Sequence, residues 1–96
     1  MQTSILCVVE TAVYVDDLDT AEVFYRDVLG LQVHQREEGR HVFFQVGDAD
    51  MLLVFLPEAT QTGDKLPPHG ATGAGHFALG IAADSLSHWR ERLTEQ

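Results

Sequence analysis

From Glu10 onward apolar and polar positions alternate, with Glu10, Ala12 and Tyr14 on one face and Thr11, Val13 and Val15 on the other. Residues 5–15 are rich in β-branched side chains, so a strand is predicted there. The period then changes to that of a helix, with Ala21, Phe24, Tyr25 and Val28 on one stripe. Asp19 and Glu22 form a helix start of the capping-box type, and Gly30 is the natural stop. Three short β-like runs follow at 31–36, 41–46 and 51–56, separated by the polar turns 37–40 and 47–50. This half reads β-α-β-β-β.

Residues 57–75 hold all three prolines, show no period and read as a connector. After it, residues 76–81 alternate again, and Leu86, Trp89 and Leu93 make a helical stripe. The order has restarted. Glu10 aligns with His76 at an offset of 66, and Leu18, Ala21 and Tyr25 align with Leu86, Trp89 and Leu93 at an offset of 68. The expected fold is α+β. Residues 1–56 form a first βαβββ module, 57–75 the connector, and 76–96 a second module that contains only a strand and a helix. An unfinished module bares a sheet edge and the apolar face of its last helix, so either the module is truncated here or another chain completes it, and a homodimer is the expected assembly.

Composition narrows the function classes. Ninety-six residues close one modest core. Fifteen acidic residues against six basic ones give a net charge of −9, which repels nucleic acid and anionic membrane surfaces. No apolar run is long enough to cross a bilayer, and the first residues lack the basic flank of a secretory signal, so a cytoplasmic location is expected. The single cysteine, Cys7, stands among Ile5, Leu6, Val8 and Val9 and reads as a small buried hydrophobe rather than a nucleophile.

In the predicted strand at 41–46, His41, Phe43 and Gln45 share one face. A ring to stack on and two hydrogen-bonding side chains suit a planar organic ligand. Glu10, Ala12 and Tyr14 on the first strand present small or polar groups to a similar face, so a cavity is expected above it. Tyr14, His41, Phe43 and Gln45 are the candidate ligand-binding residues.

The stretch from Glu10 to Leu18, then Ala21, Phe24-Tyr25 and Val28-Leu29-Gly30-Leu31, resembles the opening strand and helix of the vicinal-oxygen-chelate proteins, the superfamily of glyoxalases, bleomycin resistance proteins and extradiol dioxygenases. Gly75-His76-Phe77-Ala78-Leu79 is similar to the start of that family's second module. The resemblance implies two βαβββ modules forming a cup-shaped sheet, with a divalent metal held by His on each first strand and Glu or His on each last strand. Carried onto this chain, the first ligand position holds Glu10 and the second-module position holds His76. The last-strand position of the first module falls near Leu53, which has no donor atom, and the fourth lies beyond Gln96. A Glu oxygen and an imidazole nitrogen suit Zn, Mn, Ni or Fe. The implied function is the binding of a small oxygenated molecule in the cup, with a metal-dependent lyase, isomerase or dioxygenase activity in which Glu10 combines ligand and base. The alternative is a metal-free protein that sequesters an antibiotic or similar metabolite, which Leu53 and the acidic balance favour.

Overall fold

The protein is described from a computed structural model, in which residues 5–60 and 75–95 are defined. The first strand, β1, is Glu10–Tyr14. Helix α1, Leu18–Glu22, runs without a break into a π-helical turn, Val23–Val28. Three strands follow, β2 at Gln32–Glu37, β3 at His41–Val46 and β4 at Asp50–Phe55, and then one turn of helix, α2, at Pro57–Thr60. A 3₁₀ turn at Ala83–Ser85 leads into α3, Leu86–Thr94.

The four strands make one sheet in the order β1-β4-β3-β2. β1 lies parallel to β4, and the other pairs are antiparallel. That order follows from α1, which carries the chain across one face of the sheet and sets β2 down at the far edge, leaving the β2-β3-β4 meander to return to β1. Alternation along each strand then divides the side chains between two faces. Leu18 and Ala21 of α1 pack on Val42 and Phe44 of β3 and on Leu52 and Val54 of β4. Val13, Val15, Tyr25, Leu31 and Val33 close the edges of this core. The face predicted for Val13 and Val15 is therefore the helix-covered one, which leaves Glu10, Ala12 and Tyr14 on the opposite face, the one that the resemblance implies for the cup.

The helix begins earlier than its sequence signal. Asp17, in extended conformation, accepts a hydrogen bond from the Thr20 N–H at 3.1 Å and caps α1, which holds its carboxyl below the usual range. Asp19, the expected cap, points instead at Arg36, whose Nη2 donates to it at 2.8 Å. Arg36 also donates to Glu22 at 2.9 Å and so ties the edge strand β2 to the helix. At the other end Gly30, at φ +76°, turns the chain out of the helix in a conformation that side chains resist.

Three expectations are corrected. The first strand is shorter than 5–15, because β4 begins at Asp50 and the ladder with β1 starts at the pair Glu10 and Met51. Residues 5–9 run outside the sheet, with Ile5 93% exposed. Cys7 goes with them and is exposed, contrary to its apolar neighbourhood in sequence. Residues 76–81, expected as a strand, have no regular structure, since among the described residues no strand pairs with them. The helix after them forms as predicted. Of the connector, residues 61–74 lie outside the described part.

Arg92 of α3 reaches back to the first module. Arg92 donates to the carbonyl of Val28 and, at 3.0 Å, to that of Asp27. It thereby satisfies carbonyls that the end of the first helix leaves open, with its charge at the favourable end of the helix dipole. The predicted stripe of α3 stays uncovered at Leu86 and Leu93, as do Phe77, Leu79 and Ile81 before it. Among the described residues no helix is long and apolar enough to cross a membrane.

Candidate ligand cup and its relatives

Strand register sorts the cup face into rows. Glu10 of β1 lies beside Met51 of β4, which lies beside Gln45 of β3. In the next row Ala12, Leu53 and Phe43 stand side by side, with Gln35 of β2 beyond them. The third row holds Tyr14, Phe55, His41 and Glu37. Tyr14, His41 and Phe43, predicted as ligand-binding residues, thus come together on one surface. Gln45 lies on the same face one row away from Phe43, beside the row's Met51, and its amide donates to the Gly47 carbonyl at 3.1 Å.

The floor of the cup is aromatic. His41 stacks on Phe43 with ring centres 4.0 Å apart and planes 12° from parallel. Phe55 stands edge-on to both, at 6.0 Å from His41 and 5.6 Å from Phe43. Tyr14 lies 6.1 Å from Phe55. These offset and edge-to-face separations are the favourable ones for rings whose faces are electron-rich and edges electron-poor.

His41 is 2% exposed, and its polar atoms are matched from two sides. Arg40 Nη1 donates to Nδ1 at 2.6 Å. Because a guanidinium can only donate, Nδ1 carries the lone pair, and Nε2 carries the hydrogen that it donates to Gln35 Oε1 at 3.0 Å. Burial, reinforced by the positive charge of Arg40 and partly opposed by Glu37, holds the imidazole below its ordinary pKa. His41 is therefore a neutral, locked part of the floor, and the open polar groups are those around it.

Three residues of this surface carry no signal in the sequence pattern. Phe55 sits in the apolar run of β4. Gln35 reaches the cup because the register of β2 against β3 shifts between Val33 and Gln35, so that His34 bulges out. Arg40 belongs to a polar turn, yet its guanidinium folds back over Phe55, with Cζ 5.5 Å from the ring centre. Gly39, at φ +76°, makes that turn possible.

Of the residues proposed as metal ligands, one lies in the sheet and the other on a segment that pairs with no strand among the described residues. Glu10 lies on the cup face at the exposed start of β1, and His76 lies on the exposed segment outside the sheet. Leu53, at the position implied for a carboxylate, is buried between Ala12 and Phe43. Among the described residues no three His, Cys, Asp or Glu side chains are grouped so as to hold a metal ion. The donors in the described part do not by themselves fit the metal that the resemblance implies.

The family itself is settled by comparison. The family model described as the Glyoxalase/Bleomycin resistance protein/Dioxygenase superfamily matches residues 8–96. The chain belongs to this superfamily. Among solved structures, this glyoxalase-superfamily chain is similar to a lactoylglutathione lyase from Agrobacterium tumefaciens, with 40% identity and a TM-score of 0.86 over 96% of this chain and 71% of that one. An integron cassette protein from the mobile metagenome of the Halifax Harbour sewage outfall matches at 20% identity and TM-score 0.74, over 95% of this chain and 71% of that one. A glyoxalase/bleomycin resistance protein/dioxygenase from Alicyclobacillus acidocaldarius matches at 19% identity and TM-score 0.61, over 93% and 62%. The last two support the fold alone. No curated protein matches the chain. The α+β fold with its βαβββ module is thus the glyoxalase-type fold that the sequence pattern indicates.

Proposed function

We propose that the cup face binds a small oxygenated molecule. The observation that carries this reading is the continuous surface of Tyr14, Phe55, Phe43 and His41, in which Tyr14 and Phe43 keep part of their rings open to a ligand. Ring faces take the flat part of such a molecule, while the Tyr14 hydroxyl and the Gln45 amide offer hydrogen bonds to its oxygens. Adding S-lactoylglutathione, the compound in the name of the similar lyase, or bleomycin, the drug in the superfamily's name, to the isotopically labelled protein checks it. Shifts of the Tyr14, Phe43 and Gln45 resonances with either compound are expected. Shifts confined to the α1 side of the sheet, or none, overturn the reading.

Two readings of its chemistry are separable by experiment. A metal-dependent lyase is favoured by the 40% identity with a chain named as a lactoylglutathione lyase, and it assigns Glu10 and His76 as ligands with Glu10 also as base. Metal-free sequestration of a cationic drug is favoured by Leu53 on the cup face and by the net charge of −9. Elemental analysis of protein purified without chelator separates them. Stoichiometric zinc, manganese, nickel or iron that is lost in both Glu10→Ala and His76→Ala supports the lyase, whereas metal-free protein that binds bleomycin supports sequestration.

The same reading includes a homodimer, because Phe77, Leu79, Ile81, Leu86 and Leu93 offer apolar surface that a second copy would cover. Sedimentation should give a dimer at micromolar concentration. A well-folded monomer would count against it.

A further inference from the structure

We infer that Arg40 makes one end of the cup a seat for a carboxylate, so that the preferred ligands are small organic anions whose flat body lies on the half-open ring of Phe43. This rests on the cup being the ligand site and names the class of molecule it selects. The Arg40 side chain is only 12% exposed, and it is held in place from two sides, over the Phe55 ring and by its Nη1 bond to His41. A guanidinium has five N–H donors in a planar fork. One is used on His41, and the Nη2 group has no partner among the described residues. The unused donors match the two oxygens of a carboxylate, the geometry in which arginine binds most tightly.

Two neighbours support this direction of approach. Glu37 Oε2 lies 3.8 Å from Arg40 Nε, close enough to pair in charge and too far to hydrogen-bond, and its side chain is 58% exposed. It is a weak internal competitor standing where a ligand carboxylate would arrive. Tyr14 is in the same row of the sheet, and its hydroxyl has no hydrogen-bond partner among the described residues, so it adds a donor for a second ligand oxygen. The chain as a whole carries −9, which repels anions, so an anion that binds here is recognised locally and not drawn in by the general field.

The test compares benzoate with the isosteric but neutral benzamide, titrated into the full chain and followed by the resonances of Tyr14, Phe43 and His41. Benzoate is expected to bind about tenfold tighter, the size of effect that one charge-assisted bidentate pair gives. Arg40→Gln, which keeps an amide donor for His41, should abolish that preference, so that benzoate and benzamide bind with equal affinity. Glu37→Gln should tighten benzoate severalfold and leave benzamide alone, a gain that no loss of folding can imitate. Equal affinities in the native chain, or a benzoate preference that survives Arg40→Gln, overturn the role of Arg40 and leave the cup as the ligand site. Failure of both compounds to move any cup resonance overturns the cup reading and this inference with it.

Discussion

Phe44→Ala is expected to cost about 3–5 kcal/mol, the usual loss when a fully buried phenylalanine is cut back to a methyl group. Phe44 has no exposed surface and sits at the centre of the layer between α1 and the sheet, against Leu18, Ala21, Val42, Leu52 and Val54. Its ring also meets that of Tyr25 at 5.4 Å. The cavity would open where the helix and two strands converge, so little can collapse into it. Against a total stability on the order of 5–15 kcal/mol, with a chain of this size at the low end, such a loss leaves a large unfolded fraction. Phe43→Ala, one residue away on the cup face and only half-buried, should cost about 1–2 kcal/mol, because less apolar surface is given back to water. Urea unfolding followed by circular dichroism gives both values. If the two substitutions cost the same, the division of β3 into a packed face and a ligand face is wrong.

That division was legible in the sequence, and the reason is physical. Alternation of period two at residues 41–46 places Val42, Phe44 and Val46 on one side and His41, Phe43 and Gln45 on the other whatever the rest of the chain does. The helix was legible from its stripe, but its first residue was not, since Asp17 and Asp19 are both good caps and only the tertiary pairing of Asp19 with Arg36 decides between them. Residues 76–81 alternate as a strand should, yet a strand is held by its neighbour's backbone, and pattern alone supplies no neighbour.

Much of the candidate site was hidden for the same kind of reason. Gln35 would face α1 in a regular ladder, and the bulge at His34 turns it to the cup. Phe55 belongs to a run of apolar residues with no alternation to read, and its face is set only by its register with Tyr14 and His41. Arg40 looks like a solvated turn residue until the turn curls over Phe55. Glu10 and His76 show the opposite case. Their equivalence in the internal repeat is a fact of sequence, but sequence equivalence carries no distance, and in this structure the two lie on elements that do not pair.

His41→Phe is expected to cost about 1–3 kcal/mol at neutral pH and to remove a specific part of the protein's acid sensitivity. The new ring is one ring atom larger than the old one but keeps the stacking on Phe43 and Phe55, so the packing term is the smaller part of the loss. What is lost is the acceptor for Arg40 and the donor to Gln35, both of which then face a ring with nothing to offer. In the native chain the imidazole is held neutral, with a pKa below its ordinary 6.5, by burial first and by the charge of Arg40 second, while Glu37 pulls weakly the other way. The sign follows directly. Between the folded and unfolded values the unfolded chain binds a proton that the folded chain refuses, so stability is full above about pH 6.5 and falls as pH drops below it. A second proton would have to go on Nδ1, where it would meet the Arg40 N–H head-on, so acid loosens the contact that fixes the guanidinium over Phe55. His41→Phe lacks this titration. Its deficit relative to the native chain should therefore shrink steadily from pH 7 towards pH 5 in urea unfolding, while carboxylates common to both proteins cancel in the difference. Parallel pH profiles, or an imidazole that titrates at or above 6.5 by NMR, would show that His41 is not the neutral strut its partners imply.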